Sequence, residues 1–477
     1  MRPDRLLLLL FLPLGVLFSC HPERPYAEDP SARLAFSLDT VYFDTVFTQI
    51  GTATKSFRIK NPNRRYIRID ELRLAGGEES VFRVNVDGRP GSRFTDLEIA
   101  PGDSMYVFVE ATLRPSSSED VLRIQDSIVC LTNGNVQDVD LVAWGQDVHL
   151  LRDTLLVESA TWTGDKPYLI LGDVVVDADA ILRLEEGTRV HLHRDARILV
   201  AGSLQVEGSL ERPVEFLGDR LEDFYEDIPG QWGFIYLSQD SHDNVLHHAR
   251  ILNGTLGILI SSAPESGLRP DLEIRNTVIN HMSSHGIYAL NARIDGRNLV
   301  VGECGGSSLA LIYGGDYRFL HCTFANYWRS WFANRSLPAV SLTDYFVTYT
   351  EAGDPQLYVD GEFVRADFLN SVIYGNSSME LVLDSYNQRV LNCRFDHCLT
   401  RILTDSLDYA SDARFSQIIN LESPRLDSVP WTFRPTEESP LIDAGLASYG
   451  VDMPFDLEGV NRMLDAAPDI GAYEYQK

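Results

Sequence analysis

The densest set of side chains able to engage a ligand lies between residues 327 and 349. It comprises Tyr327, Trp328, Trp331 and Phe332, then Tyr345 and Tyr349, with Arg329 and Arg335 alongside. Indole and phenol rings stack on the apolar faces of sugar rings, and their N–H and O–H groups reach sugar hydroxyls. Tyr327, Trp328 and Trp331 are therefore candidate glycan contacts. The same residues also suit an amphipathic insertion that covers the fold, and both readings stay open. A second set, Glu222, Asp223, Glu226 and Asp227, precedes Gly230-Gln231-Trp232-Gly233. Such carboxylates hold calcium when a glycine-bearing loop of fixed spacing presents them, and this stretch lacks that spacing. A solvated excursion with no bound metal or cofactor is expected, with Trp232 packing inward.

Ser284-His285-Gly286 places one histidine before an apolar stretch and reads as a turn. Beyond Cys20 there are Cys130, Cys304, Cys322, Cys393 and Cys398, an odd number at irregular spacing with no C-x-x-C. That is neither a disulfide framework nor a zinc set. Cys393 and Cys398 are near enough in sequence to pair, but isolated buried thiols are the expected state.

The elements that position these groups change along the chain. Residues 36–148 alternate apolar and polar with period two, as in Ser56-Phe57-Arg58-Ile59-Lys60, between turn clusters such as Pro101-Gly102-Asp103. Short half-buried strands at this spacing predict a β-sandwich. A linker over 149–166 follows. From 167 to 425 a pattern of 22 to 28 residues recurs, with a small polar anchor, an apolar residue two before it and another three after. The anchors are His248, Asn276, Asn298, His321, Asp344, Asn370 and Asn392, and Gly296 is the one non-apolar predecessor. Such a period marks a solenoid of short strands. Asparagine tolerates a left-handed turn, and stacked amides can bond from rung to rung, so Asn276, Asn298, Asn370 and Asn392 are expected to form a turn ladder. On this alignment Cys322 and Cys393 point inward about 14 Å apart, beyond disulfide reach. Residues 426–477 are expected to cover the open solenoid end.

The first 19 residues carry Arg2 and Arg5, then an apolar run from Leu6 to Phe18 that is too short to span a membrane. With Leu17-Phe18-Ser19-Cys20 at its end, this resembles the bacterial lipoprotein signal. That resemblance implies cleavage before Cys20, acylation of its thiol and an anchor in the outer membrane, on a face left open. Residues 20–35 read as a tether, and Glu28-Asp29 is a displaced version of the acidic tag of Bacteroides-group lipoproteins.

The sandwich segment resembles immunoglobulin-like domains of the ASPM/Hydin type through Gly51 to Asn61 and Ala100 to Ser104. The repeats resemble the pectate-lyase-like family, which implies a right-handed parallel β-helix and an all-β chain. The tail, with Ser439 to Gly445 and Asp469 to Glu474, resembles a segment that closes secreted bacterial β-helix proteins.

Members of that fold family cleave acidic polysaccharides. The motifs for doing so are absent: there is no Asp-Asp pair and no Gly-His-Gly, and the one Arg-Ile-Lys is at 58–60 in the sandwich segment. No lysine occurs between 240 and 425, so only an arginine could act as base there. The formal charge of −28, from 69 acidic and 41 basic residues, repels phosphate backbones and excludes nucleic acid as a partner. The expectation is a lipid-anchored envelope protein that binds a glycan or a protein along its solenoid, without catalysis. The alternative is a polysaccharide lyase or glycoside hydrolase acting on an acidic glycan.

Overall fold

The computed structural model describes residues 25–115, 121–262, 270–328, 334–350, 353–359, 361–403, 408–427, 432–464 and 466–476. Among them, the fold is almost wholly β, with one short α-helix at Ala447–Asp452. The chain divides into two compact units, Met1–Pro115 with Leu122–Gly145, and Ser116–Val121 with Gln146–Lys477.

The first unit contains two five-stranded sheets. In one, Lys55–Lys60, Ser104–Ala111, Phe82–Val86 and Arg89–Gly91 pair antiparallel. In the other, Asn135–Gln146, Leu122–Thr132, Ile67–Leu74 and Arg93–Ile99 do the same. Alternation in the sequence becomes alternation in burial: Phe57 and Ile59 are enclosed while Ser56 and Arg58 face out. Phe57, Val84 and Val107 of one sheet share a core with Ile69, Leu72 and Leu141 of the other.

The second unit is a parallel β-solenoid of 24 strands. Residues 149–166 correct the expected linker. His149–Leu156 pairs in parallel with Tyr168–Val176, and Ala160–Trp162 with Ile181–Glu185. Trp162 stacks on Tyr168 with ring centroids 4.5 Å apart. These strands carry no clear alternation of their own; pairing with the next coil makes them strands.

Each coil presents three faces. The first runs through Arg197–Val200, Ile235–Leu237, Ile258–Ser261, the starts of Ile287–Gly302 and Leu309–Leu320, then Val340–Thr343 and Leu381–Asp384. The second runs through Asn244–His247, the middle of each long strand, Phe363–Leu369 and Arg394–Asp396. The third includes Ala249–Leu252, Thr323–Asn326, Val372–Gly375 and Leu399–Thr400. Inside, Phe319, Phe368, Phe395 and Phe415 stack rung on rung with centroids 5.1, 4.9 and 4.9 Å apart. Gly296 lacks a side chain because a Cβ there would lie 2.7 Å from the Phe319 ring.

A single residue with positive φ turns the chain from the second face to the third. His248, Asn276, Asn298, His321 and Asn370 hold this position, with φ from 44° to 53°. Two anticipated anchors do not. Asp344 lies at the end of the first face, buried, and His397 (φ 50°) takes the place assigned to exposed Asn392, whose amide donates to Val364 O at 2.6 Å. Two excursions, at 327–339 and 345–361, stretch the step from His321 to Asn370 to 49 residues, and this shifted the alignment. The inward position after each anchor is thus held by Ala249, Thr277, Leu299, Cys322, Ser371 and Cys398, so Cys398 rather than Cys393 shares the Cys322 column. All five described cysteines are free and buried, and burial raises each thiol pKa.

The tail corrects the expected end cap, because it runs along the side of the solenoid as a strap. Beside the tail the third-face strands are largely apolar outside as well as inside, and Val300, Ala325, Val372 and Leu399 are fully covered. Phe433, Leu457, Leu441 and Ile470 of the strap cover them. Phe455 O accepts from Asn298 Nδ2 at 2.8 Å, Ala472 N donates to Thr323 Oγ1 at 3.0 Å, and Leu446 N donates to Asn370 Oδ1 at 2.9 Å. At the centre sits Arg462, wholly buried. Its guanidinium donates to Glu474, to Asn298 Oδ1 at 2.9 Å and to Gly471 O at 3.2 Å.

Candidate functional site

The ladder expected of Asn276, Asn298 and Asn370 consists of short relays. Asn276 Nδ2 meets His248 Nε2 at 3.0 Å, and Asn298 Nδ2 donates to Asn276 Oδ1 at 2.9 Å. Asn370 Nδ2 meets His321 Nε2 at 3.3 Å. Arg462 then takes the Asn298 carbonyl. The strap covers this edge, so these residues are structural.

Of the proposed glycan contacts, Trp331 lies outside the described residues, as do Arg329, Phe332 and the lipid-attachment candidate Cys20. Tyr327 is half-buried under the strap. Its ring stacks on Phe433 (6.2 Å, 18° between planes) and meets Tyr374 at 6.3 Å, and burial raises its hydroxyl pKa. Trp328 is half-buried, and its carbonyl accepts from Asn376 Nδ2 at 2.9 Å. Arg335 is enclosed with Glu380, donating to Oε2 at 2.8 Å, while Ala339 N donates to the same oxygen at 2.8 Å. A buried pair of this kind bolts the excursion to the coil and leaves neither charge for a ligand.

Tyr345 goes elsewhere. It follows the first-face strand Val340–Thr343, and its hydroxyl donates to Asp384 Oδ2 at 2.5 Å. That bond pushes its pKa up to about 12, because the neutral phenol is the form that donates to the carboxylate. Its ring meets Tyr386 of the next rung at 6.1 Å, and Tyr386 is half exposed. Asp344 holds the loop of Tyr386: Oδ1 accepts from Tyr386 N at 2.8 Å, and Oδ2 lies 3.3 Å from the Arg389 guanidinium. Beside them the hairpin Phe346–Tyr349 with Pro355–Tyr358 stacks Phe346 on Tyr358 at 5.0 Å, edge-on to Tyr313 at 5.7 Å. Tyr349 at its tip is 69% exposed.

This cluster ends the first face, whose outward residues from Tyr236 onward form two columns. One is Tyr236, Leu259, Tyr288, Ala310, Ser341 and Val382; the other is Ser261, Leu290, Ile312, Thr343 and Asp384. Ser261 Oγ donates to Tyr236 Oη at 3.1 Å, and His285 packs edge-on to Tyr288 at 5.4 Å with Ser284 Oγ 2.8 Å from its Nδ1. Burial lowers the His285 pKa and disfavours its charged form. Neither column holds an arginine or lysine.

The second face carries the opposite chemistry. Arg275 pairs with Glu273 (2.7 Å), Arg297 with Asp295 (2.8 Å), Arg365 with Asp316 (2.9 Å) and Arg394 with Asp367 (3.5 Å). The acidic loop near 222 is folded rather than loose. Asp223–Tyr225 forms a 3₁₀ turn, Arg220 lies 4.1 Å over the Tyr225 ring, and Asn253 Nδ2 donates to Glu226 O at 2.7 Å. Trp232 is fully buried with its indole N–H on Leu252 O at 2.7 Å. Among the described residues no three metal-ligating side chains converge.

Asp384, Tyr386 and Arg389 escaped sequence reasoning. A signal existed: Leu342-Thr343-Asp344-Tyr345 is echoed by Val382-Leu383-Asp384-Ser385-Tyr386, two apolar strand ends each followed by aspartate and tyrosine.

No family model matches the chain, and no curated protein matches it. Among solved structures, part of it is similar to a family 123 glycoside hydrolase from Clostridium perfringens studied for glycolipid glycan hydrolysis. The similarity covers 26% of each chain at 9% identity, with a TM-score of 0.19. The match therefore spans about a quarter of that hydrolase, too little to carry its activity over.

Proposed function

We propose that this chain is a lipid-anchored protein of the bacterial outer membrane that binds a glycan on the first face of its solenoid, without catalysis. In this reading Cys20 is acylated, the first unit is an immunoglobulin-like domain, and the solenoid is a right-handed β-helix of the pectate-lyase-like kind in a Bacteroides-group lipoprotein. The observation that carries it is the Tyr345–Asp384–Tyr386 cluster, where the half-exposed Tyr386 ring, the partly buried Tyr345 ring and the exposed Asp384 carboxylate meet at the end of a face of aliphatic, aromatic and small polar residues. Rings offer stacking and the carboxylate accepts hydroxyl protons, the two interactions a sugar needs. The hydrolytic alternative calls for two accessible carboxylates. Here Asp344 is enclosed and committed to Tyr386 N and Arg389, which favours binding.

Two measurements test the two halves. Cys20→Ala should move the protein from the membrane to the soluble fraction with its circular dichroism unchanged; retention in the membrane would refute the anchor. The full-length chain in detergent should be retarded in native gels containing polysaccharide and should release no reducing or unsaturated ends from it. Free migration through every glycan gel would refute the binding role, and product release would restore the enzymatic alternative.

A further inference from the structure

We infer that the glycan held by the Tyr345–Tyr386 cluster is neutral, a chain of uncharged pyranoses lying along the solenoid axis; this rests on the glycan-binding reading above. A uronic polymer carries one carboxylate per sugar and needs a cation at comparable spacing. The two outward columns of the first face contain none, and the one fixed charge in them is exposed Asp384. Arg389 stands nearby, but its guanidinium lies against buried Asp344 at 3.3 Å. Arg197, where that face begins, is held by Asp173 at 2.6 Å, and the arginines of the second face lie against carboxylates. The formal charge of −28 adds a long-range repulsion for any polyanion.

The geometry is that of a hydroxyl reader. Asp384 accepts the Tyr345 hydroxyl at 2.5 Å, which fixes one ring, while Tyr386 presents a half-exposed ring one rung away with the centroids 6.1 Å apart. Successive rungs are about 4.8 Å apart, close to the length of one pyranose. A chain parallel to the axis would thus place consecutive sugars over consecutive rungs, from Tyr386 past Thr343 and Ile312 toward Tyr288. Asp344, through Tyr386 N and Arg389, is a positioning residue that sets the angle of the loop.

The test is affinity electrophoresis of the full-length protein in detergent, through gels of neutral β-glucan, galactan or mannan and, in parallel, polygalacturonate or alginate. Retardation is expected from a neutral polymer and not from the uronates, with little dependence on salt. Tyr386→Ala should weaken it about tenfold, the worth of one stacked ring. Asp384→Lys should lose the neutral polymer and gain uronate. Tyr106→Ala, in the first unit, should change nothing, and circular dichroism of each variant separates lost binding from lost folding. Retardation by uronates alone would overturn the neutral assignment and leave the glycan-binding reading standing. Retardation by neither class would overturn both. Neutral retardation that survives Tyr386→Ala and Asp384→Lys in folded protein would overturn the placement of the site. Salt-sensitive capture by polylysine in place of neutral glycan would point to a basic protein partner and overturn the sugar.

Discussion

The first and third faces of the solenoid are built from the same coils and end in opposite fates. Under the strap the outward residues of the third face are mostly apolar, as at Val300, Ala325, Val372 and Leu399, and the strap seals them. Outward residues of the first face mix tyrosine, serine and threonine with aliphatic groups and end on Asp384, and most are half-exposed. A parallel strand buried on both sides needs apolar residues at every position, whereas one with a wet side alternates. Leu299-Val300-Val301 and Val372-Ile373-Tyr374 show the first pattern, and Val340-Ser341-Leu342-Thr343 shows the second. The strap is an outer layer of the fold, and the first face keeps its outward side open.

Breaking the strap should have the largest effect. Arg462→Ala removes the buried cation that pairs with Glu474 and faces Asp469 and Asp456, and leaves Asn298 Oδ1 without its Arg462 donor. Loss of one partner in such a buried network costs about 3–5 kcal/mol. Thermal unfolding should show it as a marked drop in Tm, and an unchanged Tm would mean that the third face is stable uncovered.

Acid should act next, and also at the strapped edge. His321 is fully buried, and burial together with neighbouring Arg462 holds its pKa well below the ordinary value. The unfolded chain takes up that proton near pH 6.5 and the folded chain does not, so this contribution is complete above pH 6.5 and declines as the pH falls below it. Glu474, raised to about 7 by burial, opposes the trend, because its neutral form is favoured in the fold as the pH falls from 7 toward the normal carboxylate range. The comparison of wild type with His321→Asn separates them. The variant, carrying the residue found at three other anchors, should lose less stability between pH 7 and 5, and equal losses would remove His321 from the account.

The smallest stability effect belongs to the first face. Tyr386→Ala removes a half-exposed ring and should change folding stability by no more than about 0.5 kcal/mol while reducing glycan retention about tenfold. A large fall in Tm would make Tyr386 a structural residue and erase the contrast between the faces.

Much of this was legible beforehand. Phe57 and Ile59 on one side of a strand, or Asn276 and Asn298 twenty-two residues apart, are local patterns with local causes, namely pleat and left-handed turn. The anchors failed where excursions broke the period, at Asp344 and Asn392, because counting residues cannot tell an excursion from a coil. The candidate site failed in the same way. Tyr327 and Tyr345 are 18 residues apart, yet one lies under the strap and the other on the open face.

The sequence by itself determined that this is an all-β chain with a sandwich-like pattern and a solenoid whose coils, where no excursion interrupts them, repeat every 22 to 28 residues, because burial period and turn chemistry act over a few residues. Only the tertiary structure decided that residues 149–166 are strands, that the tail lies along the ladder edge, and that Asp384 and Tyr386 join Tyr345. Those contacts unite side chains tens to more than 160 residues apart, as with Arg462 and Asn298, and become favourable only once the coils are stacked.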